Sequence, residues 1–255
     1  MGAGHAGASL HVDADSPLHR LPPQCKVAAT GLFVVAVVAT PREAWWAFVL
    51  DLALLVGLAV LGRVPLGVVG RRLVLEAPFL AFAVLLPFVA GGPRIDVGPL
   101  SLSESGLWGA WNILAKGTLG AFAAVLLVST TELPAILRGL ERLHVPRAFT
   151  TVAGFMVRYA DVVSGEMHRM AVARQSRGHD PRWLWQARAV AASAGALFVR
   201  SYERGERVYL AMVAPGYDGA LPVLHDDAAS PGRWAVALVV PATAAVVAAV
   251  AWGLA

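Results

Sequence analysis

Apolar residues along this chain fall into two kinds of pattern. Five stretches are nearly continuous: Val27 to Thr40, Trp45 to Leu61, Leu73 to Ala90, Trp108 to Val128 and Trp234 to Ala255. A helix crossing the hydrocarbon core needs about 20 apolar residues, so the last two runs are full spans and the first is short. Trp45 and Trp46 stand where an interfacial aromatic anchor belongs, and Pro78 and Pro87 interrupt the third run. The second kind is periodic. In Glu132 to Val145, Leu133, Ile136, Leu137, Leu140 and Leu143 share one face, which predicts a short amphipathic helix at an interface. After Pro146, Val152, Phe155, Met156, Tyr159, Val162, Val163, Met167 and Met170 recur at three- and four-residue steps, while Arg158, Asp161, Glu166 and Arg169 fall on the other side. This spacing predicts a long amphipathic helix ending near Gly178 and Pro181. A second run, Ala187 to Ala214, stops in the same way at Pro215-Gly216.

The elements group into four parts: a tail over 1–26, a membrane domain over 27–130 with four spans, a domain of amphipathic helices over 131–233, and a last span over 234–255. The fold class is all-α, a polytopic membrane protein with about five transmembrane helices. Composition agrees, since 57% of the 255 residues are hydrophobic and 15% charged. An ordinary soluble domain has about 25% charged residues. Residues 1–26 carry Asp13 and Asp15 and no apolar core, so the first membrane helix is expected to serve for targeting.

Formal net charge is +4, and its distribution gives it meaning. With a cytoplasmic N-terminus, Arg20, Lys26, Arg63, Arg71, Arg72, Arg233 and the twelve arginines from Arg138 to Arg207 lie inside, and only Arg42 and Arg94 outside. That asymmetry follows the positive-inside rule and makes 131–233 cytoplasmic. Topology therefore accounts for the basic surplus, and no nucleic-acid partner is expected.

Asp51 and Lys116 fall inside the second and fourth spans, where charge is costly. Their similar depths make them a candidate intramembrane pair, facing the bundle interior in a structural role. Glu76, one turn after Arg72, has that arginine as its simplest partner. His5, His11, Asp13, Asp15 and His19 have no metal-site spacing, and the single cysteine, Cys25, excludes an internal disulfide. The chain has no Walker A loop, no zinc-protease helix motif and no glycine-flanked serine, so neither metal, bound nucleotide nor catalytic residues are expected in it.

Ser176-Arg177-Gly178 sets a guanidinium between two small residues where a helix ends. Small flanks let a partner backbone approach, and the planar group can hold a carboxylate through two hydrogen bonds. A plain helix stop with a solvated arginine is the alternative.

Several segments together resemble the transmembrane T component of energy-coupling factor transporters, most nearly the cobalt-type CbiQ family. They are Ser16-Pro17-Leu18-His19-Arg20-Leu21 with Lys26, Glu104-Ser105-Gly106-Leu107, Thr130-Thr131 and Leu140-Glu141-Arg142-Leu143-His144-Val145-Pro146. Phe155-Met156-Val157-Arg158-Tyr159, Ala173-Arg174-Gln175-Ser176-Arg177-Gly178 and Arg200-Ser201-Tyr202-Glu203-Arg204-Gly205-Glu206-Arg207 complete the set. The resemblance implies two short arginine motifs at the ends of cytoplasmic coupling helices, each inserting into one ATPase subunit. Ser176-Arg177-Gly178, with Arg174 beside it, matches the first. At the second the chain has Ala214-Pro215-Gly216, with proline in place of the family's arginine, and Arg204 or Arg207, about two turns back, are candidate substitutes. The resemblance further implies a scaffold between two ATP-binding cassette ATPase subunits and a separate membrane substrate-binding subunit. ATP would be held by the ATPases, and the substrate, cobalt or alternatively nickel or a vitamin, by the membrane subunit. A membrane enzyme is the rival class.

Overall fold

The computed structural model describes residues 16–97, 100–178, 187–216 and 229–254. The chain divides into two compact units, residues 1–144 with 227–255, and residues 145–226.

The first unit contains α1 (Pro23–Ala39), α2 (Trp45–Leu61), α3 (Leu66–Leu73), α4 (Ala77–Val89), α5 (Glu104–Thr130), α6 (Leu133–Arg142) and α9 (Pro231–Leu254). α5 and α9, with 27 and 24 residues, are long and apolar enough to cross a bilayer. α1 and α2 have 17 residues each, the low end of the spanning range. The expected third span, Leu73 to Ala90, starts at a break: Gly67–Leu73 and Ala77–Val89 meet at 60° across a 3-10 turn, Val74–Glu76. Pro78, in the first turn of α4, explains the place of the break. Its ring would collide with the Val74 carbonyl in a continuous helix, so the chain turns just before it.

Phe33 and Val37 of α1, Phe48 and Leu55 of α2, Leu119 and Phe122 of α5 and Ala244 of α9 form one buried cluster. α9 presents Ala237, Ala244, Ala248 and Ala251, all buried, and these small side chains let helices pack closely without a hydrophobic driving force in lipid. The Trp252 indole donates to the Ala39 carbonyl at 2.7 Å, fastening the end of α9 to the end of α1.

At the other end of α1 the polar groups converge. The Lys26 ammonium donates to the Thr130 carbonyl at 2.9 Å and to the His19 carbonyl at 3.4 Å. Arg72 donates to the Ser129 hydroxyl at 2.6 Å. The last carbonyls of a helix have no partner within it and carry partial negative charge, so two cations at the end of α5 are well placed. α6 packs on the start of α1 at Gly139, where an added Cβ would lie 2.9 Å from the Gln24 nitrogen. α6, expected with 131–233, therefore belongs with the membrane helices.

Between α4 and α5 the chain forms a hairpin that the apolar pattern does not announce: β1 (Arg94–Val97) pairs antiparallel with β2 (Leu100–Ser103), Arg94 opposite Ser103. Ser103 then caps α5, its hydroxyl accepting from the Gly106 N–H at 3.3 Å. Ser105 donates to the Gly91 carbonyl at 2.7 Å. A Cβ on Gly106 would sit 2.7 Å from the Leu86 oxygen, so α4 crosses α5 directly on this glycine. The Glu104-Ser105-Gly106 segment thus serves the fold.

The second unit holds α7 (Arg147–Ser176) and α8 (Ala187–Val213). The half-buried positions of α8 are Ala189, Ser193, Leu197, Ser201, Arg204, Val208 and Met212, one stripe at helical spacing. On α7 they include Phe155, Tyr159, Val163, Glu166 and Met170. Val152, Met156, Val162 and Met167, expected on the packed side, are exposed. The apolar arc of α7 is wider than one partner helix can cover. Glu166, expected on the polar side, lies within the stripe because Arg204 reaches it at 2.5 Å.

That hydrogen bond is the leading reason the Glu166 carboxyl is held below the usual glutamate range. A lowered folded pKa means that the pair contributes above the ordinary value of about 4.3 and is lost as pH falls through the lower folded one. Arg204→Met should therefore lower the unfolding midpoint near neutrality and less so at pH about 3; a difference constant between those pH values would count against the pair. In the first unit, Gly106→Val should cost about 1–3 kcal/mol through the clash with α4. Gly120→Ala, where nothing lies within 4 Å of the new Cβ, is expected to be neutral or stabilising in the same thermal unfolding measurement.

Candidate functional site

Both long helices of the second unit end on a glycine in left-handed conformation: Gly178 with φ +77° after α7, and Gly216 with φ +93° after α8. This is the common helix stop, and a Cβ there would be strained. At the first tip, Arg177 N–H donates to the Arg174 carbonyl at 3.1 Å, Gly178 N–H to Gln175 at 3.0 Å, and the Ser176 hydroxyl to Ala173 at 3.0 Å. At the second, Ala214 N–H donates to Leu210 at 3.1 Å and Gly216 N–H to Val213 at 2.9 Å. Pro215, having no N–H, cannot repeat the bond made by Arg177.

Ser176, Arg177, Gly178, Ala214, Pro215 and Gly216 are all exposed, and Arg174 is half-buried. Nothing lies within 4 Å of a Cβ added to Gly178 or Gly216, so open space surrounds both glycines within this unit. The tips differ in charge: the first carries the cationic side chain of Arg177 where the second carries the neutral ring of Pro215.

The two tips are equally far from the crossing of the helices. Arg177 follows Glu166 by 11 residues and Pro215 follows Arg204 by 11, about 16 Å in each case. A cavity beside the crossing is lined by Phe155, Tyr159 and Val163, which precede Glu166, and by Val208, Tyr209 and Met212, which follow Arg204. The helices thus run in opposite senses from the crossing, and their tips point to opposite sides of it.

This geometry separates the two candidate substitutes for the missing arginine. Arg204 is engaged by Glu166 at the crossing, 11 residues before Pro215. Arg207 is exposed, eight residues before Pro215. The role of Arg204, holding α7 to α8, was hidden by the placing of Glu166 on the polar face. A polar pair inside an otherwise apolar stripe is the sequence signal that reveals it.

The expected partnership of Asp51 with Lys116 is not formed. Lys116 donates to the Val38 carbonyl at 2.7 Å. Asp51 is fully buried, and neither of its carboxyl oxygens has a hydrogen-bond partner among the described residues. Similar depth along two helices does not fix the direction of the side chains, and α1 offers Lys116 a carbonyl within reach. Glu76, at the break between α3 and α4, accepts from the Thr118 hydroxyl at 3.1 Å. Among the described residues no three His, Cys, Asp or Glu side chains gather as metal ligands. His5, His11, Asp13 and Asp15 lie outside the described residues, and His19 has its Nδ1 2.7 Å from the Ser16 hydroxyl.

Comparison with known proteins bears on this arrangement. Residues 14–224 match the family model CbiQ, cobalt transport protein. The energy-coupling factor transporter transmembrane protein EcfT of Listeria innocua is 23% identical over 223 residues, covering 82% of this chain and 83% of the relative. The cobalt transport protein CbiQ of Rhodobacter capsulatus is 28% identical over 215 residues, 82% of this chain and 84% of that one. A putative fused cobalt transport protein CbiMQ of Methanocorpusculum labreanum is 25% identical over 151 residues, 57% of this chain but 25% of the longer protein. A family match spanning most of the chain, on a helical membrane scaffold with two exposed helix tips, establishes that the protein belongs to the CbiQ cobalt transport family, the transmembrane components of energy-coupling factor transporters.

Proposed function

We propose that this chain is the transmembrane scaffold of an ATP-driven importer that takes up cobalt ions. It joins two ATP-binding cassette ATPase subunits to a separate membrane subunit that binds the substrate. The observation that carries this reading is the pair of exposed, glycine-capped tips, placed at equal reach on either side of one pinned crossing. Two tips up to about 33 Å apart can each engage a different subunit, and closure of the two ATPases would turn both helices about the crossing. Such coupling requires that the tips make different contacts in the open and closed states. ATP is held by the ATPases, and cobalt by the membrane subunit.

The N-terminus and the second unit are cytoplasmic in this reading. Its support is the distribution of basic residues, dense from Arg138 to Arg207 and sparse on the opposite loops. Exposed apolar side chains on the second unit, among them Met156, Phe198, Tyr202 and Leu210, supply surface for partner subunits. The substrate assignment is supported by the names of the family and of the Rhodobacter capsulatus relative. Nickel or a vitamin would use the same scaffold, because substrate choice lies in another subunit.

The first tip engages its ATPase through charge. Arg177→Glu should reduce co-purification of the ATPase subunits by tenfold or more, roughly the cost of breaking a charge-assisted hydrogen bond. Assembly unchanged by this reversal would reject the contact. The second tip engages through shape. Pro215→Arg should tighten ATPase association about fivefold if the groove there also offers a carboxylate. No change would show a groove that reads the backbone alone. Both are measured by titrating labelled ATPase subunits onto the full chain in detergent.

A further inference from the structure

A second feature lies in the membrane unit, at the end where α5 finishes and α6 begins. There α1, α2, α5 and α9 line a half-open cavity of about 230 Å³. Phe33, Leu55, Leu58, Ala123, Leu126 and Val240 form its apolar wall. The turn carrying Pro17, Leu18 and Leu21 closes one side, with Leu18 seated against Gly62, where an added Cβ would lie 3.0 Å from it.

The cavity has the room of several water molecules, at about 30 Å³ for each. An apolar wall of this kind gives water too few partners. The volume falls below the roughly 300–1,000 Å³ of pockets for drug-sized ligands. It suits part of a single hydrocarbon chain.

The polar part of the wall is as specific. Lys26, 7% exposed, lines the cavity together with Thr30 and Thr130. Its ammonium has three donors, of which two reach the carbonyls of Thr130 and His19. Among the described residues, no acidic side chain lines this cavity. A buried cation that meets only carbonyls lacks a full countercharge, which is costly in a low-dielectric setting. Arg233, exposed in the first turn of α9, stands one turn before Val236 and Ala237, which line the cavity.

We propose that this cavity is a site for an anionic phospholipid of the adjoining leaflet, one acyl chain lying against Phe33, Leu55 and Leu126 and the headgroup phosphate meeting Lys26 and Arg233. A zwitterionic lipid would bring its own ammonium group toward the same two cations, so net negative charge is selected. The site concerns the scaffold itself and holds whether or not the ATPase contacts above are correct.

The test uses the full chain purified in detergent, titrated with phosphatidylglycerol, with phosphatidylcholine and with inorganic phosphate, while the unfolding midpoint is followed. Native mass spectrometry counts the retained lipids. Phosphatidylglycerol should raise the midpoint saturably, phosphatidylcholine much less, and phosphate not at all. Lys26→Gln should weaken the phosphatidylglycerol response about tenfold, the loss of one charge-assisted hydrogen bond. Ala29→Phe, which fills the cavity from α1, should abolish the saturable response while Lys26 is kept. Lys26 also holds the end of α5, so Ala29→Phe and Arg233→Gln decide the matter if Lys26→Gln fails to fold. Equal responses to the two lipids, an equal effect of phosphate alone, or an Ala29→Phe chain that still binds would each overturn the proposal.

Discussion

A bilayer supplies no hydrogen-bond partner, so every polar group carried into it must be answered by the protein itself. The first unit is organised by how it meets this demand. Helices answer for their own interiors, and the difficulty is concentrated at their ends. At the finish of α5, Lys26 from α1 and Arg72 from α3 arrive together on Thr130 and Ser129. At its start, Ser103 caps the first turn and Ser105 ties it to Gly91. The longest span of the unit thus has both ends fixed by neighbours, and α1, α3, α4 and the hairpin are located by that fixing. Where the demand is not met, at Asp51, a carboxyl is left buried without a partner among the described residues. It stands out against the close pairing at both ends of α5.

The second unit has little core to rely on. Two helices crossing once bury only a stripe on each, and much of the apolar surface beside that stripe is open. One pair, Glu166 with Arg204, sits inside the stripe, where neither neighbour on its own helix could replace it. An ion pair so placed defines register more than it adds stability, since desolvation offsets much of its attraction. In the proposed coupling role, fixed register at a single crossing would be the useful property: it would let the ends swing while the contact point stays.

Continuous apolar runs were legible from the chain alone. Trp45–Leu61 has the same bounds in sequence and structure, and the ends of α7 and α8 lie where glycine and proline place them. Three things were not. The break before Pro78 was legible as an interruption but not as a 60° bend, because a proline's effect depends on the carbonyl four residues earlier. The hairpin was missed because four-residue strands beside a long span leave almost no periodic signal. The partners of Lys116 and Glu166, and the lack of one for Asp51 among the described residues, were missed for one shared reason. Periodicity gives the face of a helix, but the partner depends on the rotation of a second helix, which a single sequence does not contain. Both tips, by contrast, are local structures, and local chemistry was enough to find them.

The contrast between the tips limits how the scaffold can work. They share reach, exposure and the left-handed glycine, and differ in one side chain, Arg177 against Pro215. The end of α7 carries a cationic side chain at the position where the end of α8 carries a neutral ring, and a cation at a helix C-terminus suits its partial negative charge. If two identical subunits dock here, one groove must accept both a cation and a carbonyl-rich end, which favours recognition of the common backbone turn. If the subunits differ, each groove can match its own tip, an acidic one for Arg177 and a donor-rich one for Pro215. In the coupling proposed above, equal lever arms would keep the movement of the two tips balanced in either case, so the exchange of arginine for proline would alter which partner is held at a tip without altering how far that tip is moved.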